Sequence, residues 1–199
     1  MNIAILFGRK NSKSIRNKNI LKIFSKPMFM YPLSAAKKVK QIDKIYVSSD
    51  SGYILKQAKK NGCIPINRPK YLCNDKALLE EAIQHAVNYC QNINSNKITN
   101  FIILLCNSIC VRSADIEEGL KILKKTKKID TVTTVSKFNN FSPVRAKKIV
   151  GQKLLNYIPN KNLKKFTPLS CDRDKSVHSY YCTQSFTISR AKGLKNMKK

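Results

Sequence analysis

Phe7 is followed by Gly8-Arg9-Lys10-Asn11-Ser12-Lys13-Ser14-Ile15-Arg16-Asn17-Lys18-Asn19, where small and hydroxyl residues alternate with fixed positive charge. A loop of that kind suits phosphate. Main-chain N–H groups and Ser hydroxyls cradle oxygens, while Arg9 and Lys18 neutralise charge. Taken alone, the stretch reads equally as an ordinary lysine-rich surface loop. Further polar segments, Ser49-Asp50-Ser51, Arg68–Asp75 and Asn107–Arg112, also follow short apolar runs. In an open parallel sheet, ligands bind beyond the carboxyl ends of the strands, where these segments would lie.

The apolar pattern supplies the elements that would hold them. Ile3–Phe7 is a continuous apolar run, as in a strand buried on both faces. Lys44–Ser48, Cys63–Ile66, Phe101–Leu105 and Thr131–Val135 read as further strands. Between them lie helical spacings over 28–39 and around Ile54, Leu55 and Ala58, the latter closed by Gly62. The spacing of Leu79, Ala82, Ile83, Ala86, Val87 and Cys90 predicts a helix over 76–90. Another is expected over Asp115–Lys125, with acids at its start and lysines at its end, as the helix dipole prefers. This alternation predicts an α/β fold of three layers around a mostly parallel sheet. After Pro143 the pattern changes to short β-like runs at Ala146–Val150, Lys153–Tyr157 and Tyr180–Ile188. The expectation is a single domain, 1–199, with an antiparallel excursion over 143–188 and a terminal helix within Ser189–Lys199.

The chain has 199 residues, enough to bury a core, and a formal net charge of +28. That charge attracts polyanions. It comes from 32 Lys against 7 Arg, spread along the chain with 19 Asn, which points to compositional drift and solvated helix faces. Specific nucleic-acid binding is therefore disfavoured, since base readout draws on clustered Lys/Arg. The seven cysteines include no Cys-x-x-Cys and no zinc spacing, as for reduced thiols. Ile3–Phe7 is too short for a signal core, and Phe101–Cys106 too short to span a bilayer. The expectation is a cytoplasmic protein with no membrane partner.

The loop resembles the nucleotide loop of the acylneuraminate cytidylyltransferases, which runs Ala-Arg-Gly-Gly-Ser-Lys-Gly, a few variable residues, then Lys-Asn. The match falls on Arg9, Ser12, Lys13, Lys18 and Asn19. It continues in register. Lys26-Pro27-Met28 with Tyr31 and Ala35-Ala36 resembles Gly-Lys-Pro-Leu and its helix, and Val47-Ser48-Ser49-Asp50-Ser51 resembles Val-Ser-Thr-Asp-Ser. Gly62, Arg68-Pro69, Leu72, Asp75, Ala77 and His85 follow the family order, as do Leu104-Leu105, Arg112, Asp115-Ile116 and Ser142-Pro143.

The resemblance implies a Rossmann-like nucleotide-diphospho-sugar transferase fold and transfer of CMP from CTP to an acidic nonulosonic sugar, with release of pyrophosphate. Arg9 and Lys18 would be catalytic. Gly8, Ser12, Lys13, Asn19, Ser49, Asp50 and Arg68 would bind nucleotide, and Asn107, Arg112, Arg145 and Arg173 the sugar. It also implies Mg²⁺ and a homodimer, with the region after Pro143 as the contact. His85 reads as a packed helix residue rather than a base. There are departures. Lys10, Asn11 and Ser14 replace loop glycines, Cys106-Asn107-Ser108-Ile109-Cys110 replaces Gln-Pro-Thr-Ser-Pro, and the family's C-terminal Asp-x-Asp metal pair is not found. Asp172 and Asp174 read as a solvated loop as readily as a metal site. Alternative readings are a weak or inactive nucleotide-binding remnant and, on charge alone, a basic nucleic-acid-binding module.

Overall fold

A computed structural model describes residues 1–12, 15–137, 143–163 and 178–195. In chain order the strands are β1 (Asn2–Phe7), β2 (Lys22–Ile23), β3 (Lys26–Pro27), β4 (Lys44–Ser49), β5 (Ile64–Asn67), β6 (Asn100–Leu105), β7 (Thr131–Lys137), β8 (Lys147–Val150), β9 (Lys153–Asn156) and β10 (Tyr180–Arg190). The helices are α1 (Met30–Lys38), α2 (Gly52–Lys60), α3 (Leu79–Ile93), α4 (Ser113–Lys125), α5 (Asn160–Leu163) and α6 (Ala191–Lys195).

The apolar runs meet in a six-stranded sheet of order β5-β4-β1-β6-β10-β7. β1 sits between β4 and β6, parallel to both, with Ile5 opposite Tyr46 and Ile103. β4 and β5 are parallel, whereas β10 runs antiparallel to β6. Strand periodicity sorts the side chains into two cores. Ala4, Leu6, Val47, Ile102 and Leu104 pack under α1, α2 and α4. Ile3, Ile5, Phe7, Tyr46, Phe101 and Ile103 pack under α3 and α6. The three-layer α/β expectation therefore holds.

Helix ends follow local chemistry. The Ser51 side chain accepts from Ile54 N–H to start α2, and Gly62, with φ +75°, follows its end. α3 begins at Leu79 and runs to Ile93, instead of spanning 76–90. Asn74 Oδ1 accepts from the N–H groups of Lys76 and Ala77 at 2.8 and 2.9 Å, which holds those residues in a turn. Glu81 then accepts from Leu78 N–H at 3.2 Å and fixes the new start.

The β2–β3 hairpin has no signal in the sequence. Its central residues, Phe24 and Ser25, have φ of 46° and 64°. That sign pattern belongs to the type I′ turn, which favours Asn-Gly. Phe24 is 95% exposed, so it gains nothing in packing to offset the strain. Replacing Phe24-Ser25 by Asn-Gly should stabilise the chain by about 1 kcal/mol, read from thermal unfolding. An unchanged or lower midpoint would show that this turn is not strained.

Contact density divides the chain into Met1–Thr134 with Gln184–Lys199, and Val135–Thr183. The second unit holds the β8–β9 hairpin, with Ile149 opposite Leu154. Ile149, Leu154 and Tyr157 are all more than half exposed. Of the expected terminal helix, α6 forms over Ala191–Lys195.

Candidate functional site

The sheet delivers the end of β1 into a tight junction. Gly8 N–H donates to Ser48 O at 3.2 Å, and Cys106 N–H donates to Phe7 O at 2.9 Å. Gly8 is thus held between the ends of β4 and β6. A Cβ on it would lie 2.3 Å from Cys106 Sγ. The chain then leaves the sheet, and two side chains fix its course. Asp50 Oδ1 accepts from Lys10 N–H at 2.6 Å. Asn19, returning at the loop's far end, donates from Nδ2 to Arg9 O at 2.9 Å.

Beyond this junction lies a cleft of about 390 Å³, at the carboxyl ends of the parallel strands. Gly8, Arg9, Ser12, Lys18, Asn19, Arg68 and Asn107 all line it. Leu72, Asn74, Asp75 and the first turn of α3 line it as well. Three cations, Arg9, Lys18 and Arg68, and one carboxylate, Asp75, converge here, and their charge balance is net positive.

Arg68 is the buried cation, at 7% exposure. Its Nε donates to Ser48 Oγ at 3.2 Å and its Nη2 to Ser48 O at 2.9 Å. The guanidinium also lies 5.7 Å from the centre of the Phe7 ring. Burial pulls its pKa below the ordinary arginine value, since the charged form loses hydration. Arg9 is more exposed. Its Nη1 donates to Asp75 Oδ1 at 2.9 Å and to Asn74 O at 3.2 Å.

Other expected site residues lie elsewhere. Ser49 is buried and accepts from Ser51 N–H at 3.0 Å, so it shapes the turn that carries Asp50 and does not line the cleft. Arg112 pairs with Asp115 at 2.6 Å, one turn along α4, and does not line the cleft either. Arg145 belongs to the second unit. Lys13 and Arg173 lie outside the described residues, as do Asp172 and Asp174. Among the described residues, no group of three or more His, Cys, Asp or Glu side chains could hold a metal. Among the described residues the cleft offers one carboxylate, Asp75, already engaged by Arg9, which is too few donors to hold a Mg²⁺ ion without phosphate oxygens.

His85, on α3, has a buried Nδ1 with no hydrogen-bond partner among the described residues. Burial, aided by the Arg68 charge, lowers its pKa below the usual histidine value. The unfolded chain therefore takes up a proton near the ordinary value while the folded chain does not. This contribution to stability is complete above about pH 6.5 and is lost as pH falls below it. Urea midpoints at pH 7.5, 6.5 and 5.5 should fall more steeply for the wild type than for His85→Gln. Parallel profiles would refute the assignment.

The Cys106 thiol, fully buried behind Gly8, is pushed up to about 12 by burial. It stays protonated and serves as packing. Cys63, Cys73, Cys90, Cys106, Cys110 and Cys182 are all free thiols. No helix among the described residues is long and apolar enough to cross a membrane.

The segment Arg68–Asp75 was expected at the strand ends, but neither the bond of Arg9 to Asn74 and Asp75 nor a part for Leu79 was. The signal was the turn chemistry of Asn74, which moves the start of α3 and turns these residues toward Arg9.

Comparison with known proteins bears on the family and the fold. The chain is 32% identical over 148 residues to a Helicobacter pylori protein described as pseudaminic acid cytidylyltransferase and UDP-2,4-diacetamido-2,4,6-trideoxy-beta-L-altropyranose hydrolase, covering 72% of this chain and 27% of that one. It is 32% identical over 142 residues to the N-acylneuraminate cytidylyltransferase of Escherichia coli, covering 71% and 33%. The chain thus spans about a quarter to a third of the length of these relatives. A CMP:2-keto-3-deoxy-manno-octonic acid synthetase solved with CTP superposes with a TM-score of 0.68 at 16% identity, over 98% of this chain and 76% of that one. That likeness concerns the fold. A family model described as cytidylyltransferase matches residues 3–151, the stretch that carries the central sheet except β10 and every described residue lining the cleft. The Gly8–Asn19 loop and the cleft both fall within the matched stretch, and the chain belongs to the cytidylyltransferase family.

Proposed function

We propose that the cleft binds CTP and transfers CMP to an acidic nonulosonic sugar, releasing pyrophosphate. The observation that carries this reading is the convergence of Arg9, Lys18 and Arg68 with Ser12 and Gly8 in one cleft at the strand ends. The names of the relatives in H. pylori and E. coli support the substrate class. The anomeric hydroxyl attacks the α-phosphorus. A new P–O bond forms, the bond to the β-phosphate breaks, and the hydroxyl proton passes to solvent. Such a transfer needs mainly alignment and charge neutralisation. Arg9 and Lys18 take the triphosphate, Ser12 and the Gly8 loop offer donors, and Arg68 gives fixed positive charge at the cleft wall. Asn107 is the proposed acceptor contact. Arg145 and Arg173 are proposed for the sugar carboxylate, since the guanidinium fork matches it. Arg112, already paired with Asp115, is not. Mg²⁺ enters this proposal as the counter-ion that CTP carries, not as an ion held by the cleft.

The proposed setting is the cytoplasm, where CTP is made. The proposed assembly is a homodimer through the region after Pro143, supported by the exposed Ile149, Leu154 and Tyr157. Sedimentation across a concentration series tests it, and a monomer at every concentration would end it.

Thermal unfolding with CTP, UTP, ATP and GTP tests the nucleotide. A ligand at 100 times its Kd stabilises by about 2.7 kcal/mol. A shift largest for CTP, followed by pyrophosphate release with an acidic sugar, is the expected result. Equal shifts with all four nucleotides would reduce the cleft to a polyanion trap.

A further inference from the structure

We propose that Asp75 is a built-in competitor for the phosphate: nucleotide binding moves the Arg9 guanidinium from Asp75 to a phosphate oxygen, and Asp75 takes it back as pyrophosphate leaves. This rests on the reading that the cleft takes a polyphosphate.

Among the described residues that line the cleft, Asp75 is the one carboxylate, set against Arg9, Lys18 and Arg68. Arg9 Nη1 reaches both Asp75 Oδ1, at 2.9 Å, and Asn74 O, at 3.2 Å. Carboxylate and phosphate oxygens are alternative acceptors for the same guanidinium donors. The two side chains are 30% and 59% exposed, so the pair is a weak surface ion pair that a multiply charged anion can displace.

The acceptors for Arg9 belong to a turn with its own internal bonds. Asn74 Nδ2 donates to Tyr71 O, while Asn74 Oδ1 accepts from Lys76 and Ala77 N–H. Losing Arg9 would therefore leave the turn intact and able to rebind. The opposite strand of the junction repeats the theme. Asp50 holds Lys10 N–H, a main-chain donor of the same loop. A carboxylate that reclaims Arg9 lowers the affinity for pyrophosphate and so favours product release.

The test measures inorganic pyrophosphate and CTP binding by titration calorimetry at fixed ionic strength, with EDTA and with Mg²⁺. The proteins are wild type, Asp75→Asn, Arg9→Gln and the double variant. Asp75→Asn should tighten pyrophosphate binding about two- to fivefold, the scale of an exposed ion pair. The gain should vanish in the Arg9→Gln background. Weaker pyrophosphate binding by Asp75→Asn in EDTA would overturn the proposal, because Asp75 would then be positioning Arg9. An equal gain in both Arg9 backgrounds would overturn it as a general charge effect. A loss confined to Mg²⁺ would overturn it in favour of a cation ligand. Pyrophosphate binding without preference for CTP would sink the cytidylyltransferase reading and leave the Asp75 exchange standing. No pyrophosphate binding by any form would sink both.

Discussion

Arg68→Met should weaken CTP binding roughly ten- to a hundredfold, the range of a charge-assisted hydrogen bond, and leave the folded chain within about 1 kcal/mol of wild type. The two halves of this expectation have one cause. Arg68 is 7% exposed, yet among the described residues its guanidinium hydrogen bonds run to Ser48 and not to a carboxylate. Burial has already pulled its pKa down, so the charged form carries a cost in the folded chain. The Ser48 bonds and the Phe7 ring offset part of that cost. An anionic ligand would supply the rest. Methionine has similar reach and no charge. It removes the desolvation cost together with the hydrogen bonds, and Ser48 O keeps its bond from Gly8 N–H. The two losses nearly cancel in the folded chain, but the nucleotide loses its buried counter-charge. Calorimetric titration with CTP and urea unfolding of the same preparations check both halves. Unchanged CTP affinity would remove Arg68 from the binding machinery. A stability loss above about 3 kcal/mol would make it a structural residue first.

How much of this was legible depends on how local each signal was. β1 was plain in Ile3–Phe7 because a strand buried on both faces is apolar without interruption. The end of α2 was plain in Gly62, whose positive φ few other residues adopt. The β2–β3 hairpin was hidden because Phe24 and Ser25 contradict the turn they form, and its strands are two residues each. The start of α3 slipped because apolar spacing cannot weigh the competing turn made by Asn74. Within the cleft, Gly8, Arg9, Lys18 and Arg68 could be named from composition and from a family resemblance. The bond from Arg9 to Asp75 could not, since it joins residues 66 apart and appears only when β1 and β5 lie in one sheet. Arg112 illustrates the converse. An acid three residues away in the first turn of α4, Asp115, offers a local partner that a distant ligand must outcompete.

Gly8→Ala should destabilise the chain by about 2 kcal/mol, within the usual range for overpacking a tight site, and weaken CTP binding with it. The strain here is not conformational. The added Cβ meets Cys106 Sγ at 2.3 Å and Cys106 Cβ at 2.9 Å, closer than atoms can pack. Cys106 has little room to yield. It is 1% exposed, and its N–H is tied to Phe7 O. Gly8 in turn is tied to Ser48 O. The clash must therefore be relieved by spreading the ends of β1 and β6 or by displacing the loop. Either change shifts Arg9 and the Asn19 bond to its carbonyl, so the damage reaches the phosphate donors. Cys106→Ala removes the worse contact and leaves the 2.9 Å one. Alone it should cost about 1 kcal/mol as a small cavity. Combined with Gly8→Ala it should recover part of the loss, a favourable coupling that two independent sites would not give. Urea unfolding of the four proteins measures that coupling directly. Strict additivity would mean that Gly8 is needed for some reason other than the thiol behind it. A neutral Gly8→Ala would mean that the junction between β1 and β6 is looser than the contact distances require.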